Sequence, residues 1–172
     1  ITQPAQLTLG ATPTAVLCSG ESSGVITAAA GNGTSPYQFT LLSGGTTIQN
    51  SNTGLFNGVA AGTYTVYITD AHSCPDSTNV TVTEPQPVVN TVTPTDVTCY
   101  HYTNGQIAVA TTGGTPAYTY SLSNGSQSGS GIFSGLATGT YTITVSDVNN
   151  CTAQETATIN QPDYVVVEIS PA

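Results

Sequence analysis

The run Gly62-Thr63-Tyr64-Thr65-Val66-Tyr67-Ile68-Thr69-Asp70, with Cys74 four residues beyond its end, returns as Gly139-Thr140-Tyr141-Thr142-Ile143-Thr144-Val145-Ser146-Asp147, with Cys151 again four residues on. In the first copy Tyr64, Val66 and Ile68 fall on one face and Thr63, Thr65, Tyr67 and Thr69 on the other; Tyr141, Ile143 and Val145 repeat the apolar face. A period of two is that of a β-strand with one buried side. No stretch shows a sustained 3.6-residue apolar period, whereas short alternating runs broken by Gly, Asn and Pro recur from end to end. The chain reads as all-β.

The repetition reaches far beyond this strand. Cys18, Gly24, Ile26, Tyr37, Phe39 and Leu41 return 81 residues later as Cys99, Gly105, Ile107, Tyr118, Tyr120 and Leu122. Phe56, Gly58, Gly62, Tyr64, Asp70, Cys74 and Pro85 return at a spacing of 77, so four residues are missing from the second copy between the two blocks. The loss falls in the polar stretch 43–53, a loop tip or short hairpin where length change is tolerated. Within one copy the expected strands lie near residues 6–11, 14–18, 25–30, 37–42, 46–50, 63–69 and 79–83. Ala60-Ala61-Gly62-Thr63-Tyr64 and Ala137-Thr138-Gly139-Thr140-Tyr141 have the spacing of a tyrosine corner, which points to immunoglobulin-like sandwiches.

Ile1-Thr2-Gln3-Pro4, Val82-Thr83-Glu84-Pro85 and Ile159-Asn160-Gln161-Pro162 share one closing signature. The expected organisation is therefore the tail of a preceding repeat (1–4), two immunoglobulin-like repeats (5–85 and 86–162) and the first strand of a following repeat (163–172). The expected parent is a longer tandem array of sandwiches, arranged as beads on a string, of which this chain would be a window. Proline at each junction cannot donate to a ladder and stiffens the link.

Nine carboxylates stand without one Lys or Arg, giving a net charge of −9. Nothing can neutralise phosphates, which argues against nucleic acid and anionic membranes as partners. No apolar stretch approaches the length of a membrane span, so no membrane insertion is expected of this segment. Without lysine, a Lys–Asn isopeptide cross-link has no donor. Only 5% of residues are charged, so solubility rests on Thr, Ser, Asn and Gly.

The four cysteines fall at matched positions, two per repeat. Of the three pairings open to four cysteines, the repetition favours Cys18 with Cys74 and Cys99 with Cys151. Closing a loop of about 55 residues is worth roughly 4 kcal/mol on the chain-entropy model, a useful staple for a unit near 80 residues. Disulfides imply an oxidising, extracellular setting, at a cell surface or in secreted material. There is no C-x-x-C and no repeated histidine to favour zinc or thiol catalysis.

Taken in order, Cys18-Ser19-Gly20, a G-x-I, a Gly/Thr-rich turn ending in Pro36-Tyr37, the core run from Phe133 through Gly135-Leu136 to Gly139-Thr140-Tyr141, D-x-x-x-C and a closing Gln-Pro resemble the SprB-type repeats. Such repeats occur in large cell-surface adhesins and other secreted proteins of Bacteroidetes-like bacteria. The resemblance covers nearly the whole chain, twice. It implies a structural segment of an extracellular filament or adhesin stalk, whose partners are neighbouring copies or repeats of the same protein.

Three features carry candidate chemistry. Asp70, Asp76 and Asp147 are the candidate Ca²⁺ ligands, being hard oxygen donors near a cysteine; the simpler reading has Asp70 and Asp147 capping their own turns, with no cofactor. Tyr100-His101-Tyr102 replaces Ser19-Gly20-Glu21 of the first repeat and puts aromatic rings on an end loop, suited to contact with a neighbouring unit, a glycan or a surface. Tyr164, Val165, Val166, Val167 and Ile169 form the most β-prone run, an expected inter-unit strand that folds into a following repeat or adds to a neighbour's sheet. His72 and His101 are unrepeated, and no motif holds a nucleophile against a base, so no catalytic residues and no enzyme are expected. The rival reading is a glycan- or surface-binding adhesin module working through its end loops.

Overall fold

The computed structural model describes residues 5–167; the expected preceding-repeat tail (1–4) and Ile169 lie outside them. The chain divides into two compact units, Ile1–Pro85 and Gln86–Ala172. In the first unit the strands are β1 (Thr8–Thr14), β2 (Gly24–Gly31), β3 (Gln38–Ser43), β4 (Thr46–Ser51), β5 (Leu55–Val59), β6 (Gly62–Thr69) and β7 (Pro75–Val82). The second has β8 (Val89–Thr95), β9 (Gly105–Thr112), β10 (Thr119–Leu122), β11 (Gln127–Ser128), β12 (Ile132–Leu136), β13 (Gly139–Ser146) and β14 (Thr152–Ile159). No helix occurs among the described residues, and so none long and apolar enough to cross a membrane.

Each unit is a two-layer sandwich of antiparallel sheets. The first unit has a three-stranded sheet in the order β1-β2-β5 and a four-stranded sheet in the order β4-β3-β6-β7; the second repeats them as β12-β9-β8 and β11-β10-β13-β14. Alternation puts one face of each sheet inside. In β6, Tyr64, Val66 and Ile68 are buried while Tyr67 stays exposed. Facing them from the other sheet are Ile26 and Phe56, and in the second unit Ile107 and Phe133 take the same places opposite Ile143 and Val145. The tyrosine corners are formed: the Tyr64 hydroxyl donates to the Ala60 carbonyl and the Tyr141 hydroxyl to the Ala137 carbonyl, each at 3.0 Å.

Two strand expectations need correction. Residues 14–18 form no strand of their own, because β1 runs on to Thr14 and the chain then turns. Leu55–Val59, by contrast, is a strand that alternation did not reveal. Its pairing with β2 skips Gly58, which has a positive φ of 68° and sits in a bulge; Gly135 (φ 72°) does the same in β12. A bulge puts two residues opposite one and breaks the period of two. The residues missing from the second repeat come from the β3–β4 hairpin, where six residues of β4 shrink to two in β11.

The chain enters each sandwich at one pole and leaves at the other. In the first unit Leu7 lies beside Gly33 and the Asp70 turn, at what we term the N-pole. β7 starts there and runs the length of the unit to Thr83 and Glu84, at the C-pole, where the Thr83 carbonyl accepts from Val16 N–H. The second unit has the same polarity, from Gln86 at its N-pole to Asn160 at its C-pole.

Candidate functional site

At each N-pole a buried aspartate organises the turn. Asp70 Oδ1 accepts the backbone N–H groups of His72 and Cys74, both at 2.9 Å, and its Oδ2 accepts from Thr34 at 3.0 Å, tying the β6–β7 turn to the β2–β3 loop. Asp147 makes the same set with Asn149, Cys151 and Thr115 at 2.8, 2.9 and 2.7 Å. These are Asx-type caps, the simpler of the two sequence readings. Asp76, half-buried on β7, bonds the N–H of Ser77, and among the described residues no three His, Cys, Asp or Glu side chains converge on a metal position. Just beyond each loop a second tyrosine clamps it, Tyr37 to the Asn32 carbonyl and Tyr118 to that of Gly113. Sequence reasoning noted these tyrosines without giving them this role; their 81-residue repetition beside a turn was the available signal.

Both caps hold their carboxylates below the usual range. For Asp70 the Cys74 N–H contributes most, against burial, with Thr34, His72 N–H and the nearby imidazole adding to it. For Asp147 burial is the largest influence and pushes upward, but the Thr115, Cys151 and Asn149 N–H groups together outweigh it. A carboxylate whose folded pKa is depressed stabilises the fold above its unfolded pKa and loses that contribution as pH falls through the folded value. The melting temperature is therefore expected to hold down to about pH 4, the ordinary aspartate range, and to fall below it. Acid also relieves repulsion among the remaining charges, so the control is the pair Asp70→Asn and Asp147→Asn. The double variant should melt lower than wild type at pH 7 and lose less on acidification; parallel pH profiles would contradict the assignment.

The cysteines do not pair as the repetition favoured. Cys74 and Cys99 are free, exposed thiols, while Cys18 and Cys151 are each disulfide-bonded. Neither expected pair, Cys18–Cys74 or Cys99–Cys151, can form, because the two cysteines of a repeat lie at opposite poles. Cys74 adjoins the start of β7, whereas the loop holding Cys18 is bonded to its far end through Val16 to Thr83 (2.9 Å) and Gly20 N–H to Glu84 Oε2 (2.6 Å). Eight strand residues separate the poles, about 25 Å at the usual rise, against the 7 Å or less between Cα atoms that a disulfide needs. In the second unit Cys151 adjoins the start of β14, and the Cys99 loop is bonded to its far end by Val97 to Asn160 and His101 to Gln161. The acidic or amide residue of the closing signature thus holds the first cysteine's loop, a role the sequence did not disclose.

The aromatic triplet sits at the C-pole of the second unit. Tyr100 and Tyr102 are exposed; His101, with a positive φ of 60°, stacks on Tyr100 at 4.1 Å between centroids, and Tyr100 also meets Tyr164 at 5.6 Å. The corresponding positions, Ser19 in the first repeat and Pro87 just past its closing Pro85, carry no aromatic ring. Tyr164 to Val167 form no strand, and Val165 is 88% exposed. Its counterpart Leu7 is 4% exposed in the core of the first unit.

A three-stranded sheet facing a four-stranded one, joined by antiparallel crossovers and carrying a tyrosine corner, defines an immunoglobulin-like β-sandwich, and this chain holds two in tandem. More particularly, residues 91–127, the first half of the second unit, match the family described as SprB repeat. No curated protein matches the chain. Solved structures similar to it include a C-terminal fragment of intimin in complex with the intimin-binding domain of its translocated receptor (18% identity, TM-score 0.45, covering 92% of this chain and 65% of that one). Another is the amphioxus IgVJ-C2 molecule (15%, 0.35, 93% and 99%), and a third is domains 4–9 of the surface layer protein SbsC (16%, 0.36, 96% and 32%). The chain thus spans less than two thirds of the intimin fragment, and the fold assignment rests on its own strand pairing.

Proposed function

We propose that this chain is a non-catalytic structural segment of an extracellular tandem-repeat filament or adhesin stalk. The observation that carries the reading is the polarity of the unit: the chain enters a sandwich at one pole and leaves at the other, which is the connection that a tandem series of such units uses. The SprB match, the disulfide-bonded Cys18 and Cys151 and the threonine-rich outer strand faces support an exposed, oxidising location. The deeply buried polar side chains, Asp70 and Asp147, are engaged in capping turns. Negative-stain microscopy of native material, with antibody raised to this chain as the marker, should decorate long regular fibres or stalks at intervals. Label confined to compact, non-fibrous particles would refute the proposal.

One observation favours the second reading, an adhesin module working through its end loops: Tyr100, stacked on His101, and Tyr102 both expose large rings. If that surface grips glycan, Tyr100→Ala with Tyr102→Ala abolishes retention on a glycan array while leaving fibre morphology unchanged.

A further inference from the structure

Each repeat carries one cysteine at each pole, and the backbone joins poles in series. Glu84, at the C-pole of the first unit, holds the Cys18 loop through Gly20. Two residues later Gln86 is at the N-pole of the second unit, its carbonyl accepting from Gly114 N–H at 2.7 Å. Gly114 in turn borders Asp147, the cap whose Oδ1 holds the N–H of Cys151. Chain continuity alone therefore assigns Cys18 and Cys151 to the two sides of one junction. Those are the two cysteines that are bonded, while their repeat counterparts Cys99 and Cys74, which belong to the far poles, are free and exposed.

We propose that the disulfide of this repeat crosses junctions: the first cysteine of one repeat bonds the second cysteine of the repeat that follows. Cys99 is then the donor half of the next junction and Cys74 the receiving half of the preceding one, each awaiting a unit of the same type. This rests on the tandem-array reading above and adds the covalent link that makes the array resist pulling. A groove at the N-pole of the first unit, lined by Ala5, Leu7, Thr34, His72, Cys74 and Pro75, offers the place where such a neighbour's C-pole loop would sit. At the other pole the Cys99 loop is next to Tyr100, whose ring meets Tyr164 just past the closing Pro162, where a following unit would begin. The bond forms by exchange with a low-molecular-weight disulfide such as oxidised glutathione. The Cys99 thiolate attacks it and releases one glutathione thiolate; the Cys74 thiolate of the neighbour attacks the mixed disulfide and releases the second. Two thiol protons and two electrons leave the protein, and one acceptor disulfide becomes two thiols.

The test uses the chain itself, reduced and then oxidised at high protein concentration with a glutathione couple, quenched in acid and digested with pepsin, since trypsin has no Lys or Arg to cut. The expected map has a Cys18–Cys151 peptide in every species, and a ladder of covalent oligomers whose links are Cys99–Cys74. Either C74S or C99S should leave the chain monomeric, as should the double variant, and all three should keep the Cys18–Cys151 peptide. A Cys18–Cys74 or Cys99–Cys151 peptide, oligomers joined by Cys99–Cys99 or Cys74–Cys74 links, or a wild-type chain that remains monomeric with two alkylatable thiols would overturn the inference. Fibres in native material without cross-junction peptides would sink the disulfide alone; cross-junction peptides without fibres would sink only the structural reading.

Discussion

Phe56→Ala is expected to lower the stability of the first repeat by about 3–5 kcal/mol, and Phe133→Ala to do the same in the second. The chain has only three phenylalanines and no tryptophan or methionine, so a sandwich of this size has few large side chains with which to fill the space between its sheets. Phe56 is 1% exposed and Phe133 4%, each on the inner face of the three-stranded sheet. Ring removal there forfeits the buried apolar area and leaves a cavity that two hydrogen-bonded sheets cannot close around. For a unit near 80 residues the loss corresponds to a melting temperature lower by about 12–40 °C. Calorimetry should show the transition of the altered repeat moved down by that amount, whereas Phe56→Leu, nearer in volume, should cost under about 1.5 kcal/mol. A shift of only a degree or two for the alanine variant would mean that the ring is not part of a close-packed core.

What the sequence disclosed and what it concealed have the same origin. Alternation in β6 and β13, the 81- and 77-residue spacings and the tyrosine corner are local or periodic signals, and each survives into the structure because the buried face of a strand is fixed by its period. The bulge at Gly58 destroyed the one periodic signal that β5 had. That strand decides the parity of the chain between Cys18 and Cys74. With β5 counted, five strands (β2 to β6) separate them, and an odd number of traversals ends at the opposite pole; without it the count is even and the two cysteines appear to share a pole. Repetition reports which positions are equivalent, not which end of the sandwich they occupy. The within-repeat disulfides failed for that reason, while the Asp70 and Asp147 caps, which depend only on residues two to four positions along the chain and one cross-loop N–H, were legible.

The C-pole triplet was legible for a different reason. Tyr100-His101-Tyr102 stood out because it breaks the repeat, and Tyr164 breaks it in the same unit. A departure from internal symmetry marks a position released from the shared fold, which is why the rings lie outside the core. The contact between them joins residues of the two loops that flank the closing Gln161-Pro162, a proximity that chain order alone could not give.

Gly131→Ala and Gly54→Ala are expected to be as damaging as loss of a core ring, although each adds a single methyl group. Both glycines have left-handed backbone, φ 75° and 79°, and both accept a hydrogen bond through their carbonyls at 2.8 Å, from Val109 and Ala28 respectively. That bond seats the loop before β5 or β12 on the neighbouring strand of the three-stranded sheet. A Cβ on Gly131 would fall 2.5 Å from the Val109 carbonyl oxygen and 3.3 Å from the Tyr120 ring; on Gly54 it would collide with the Ala28 carbonyl. The obstacle is backbone already committed to a ladder, so it cannot rotate out of the way as a side chain would. Left-handed strain of about 1–2 kcal/mol and overpacking of about 1–3 kcal/mol then add, for a total of roughly 2–5 kcal/mol. Gly44 and Gly125 are the controls. They share the positive φ, 56° and 89°, but a Cβ on either meets nothing within 4 Å, so alanine there carries only the backbone strain. Denaturant titration of Gly131→Ala beside Gly125→Ala separates the two contributions, and equal losses in the two variants would show that the loop is not held against the strand as described.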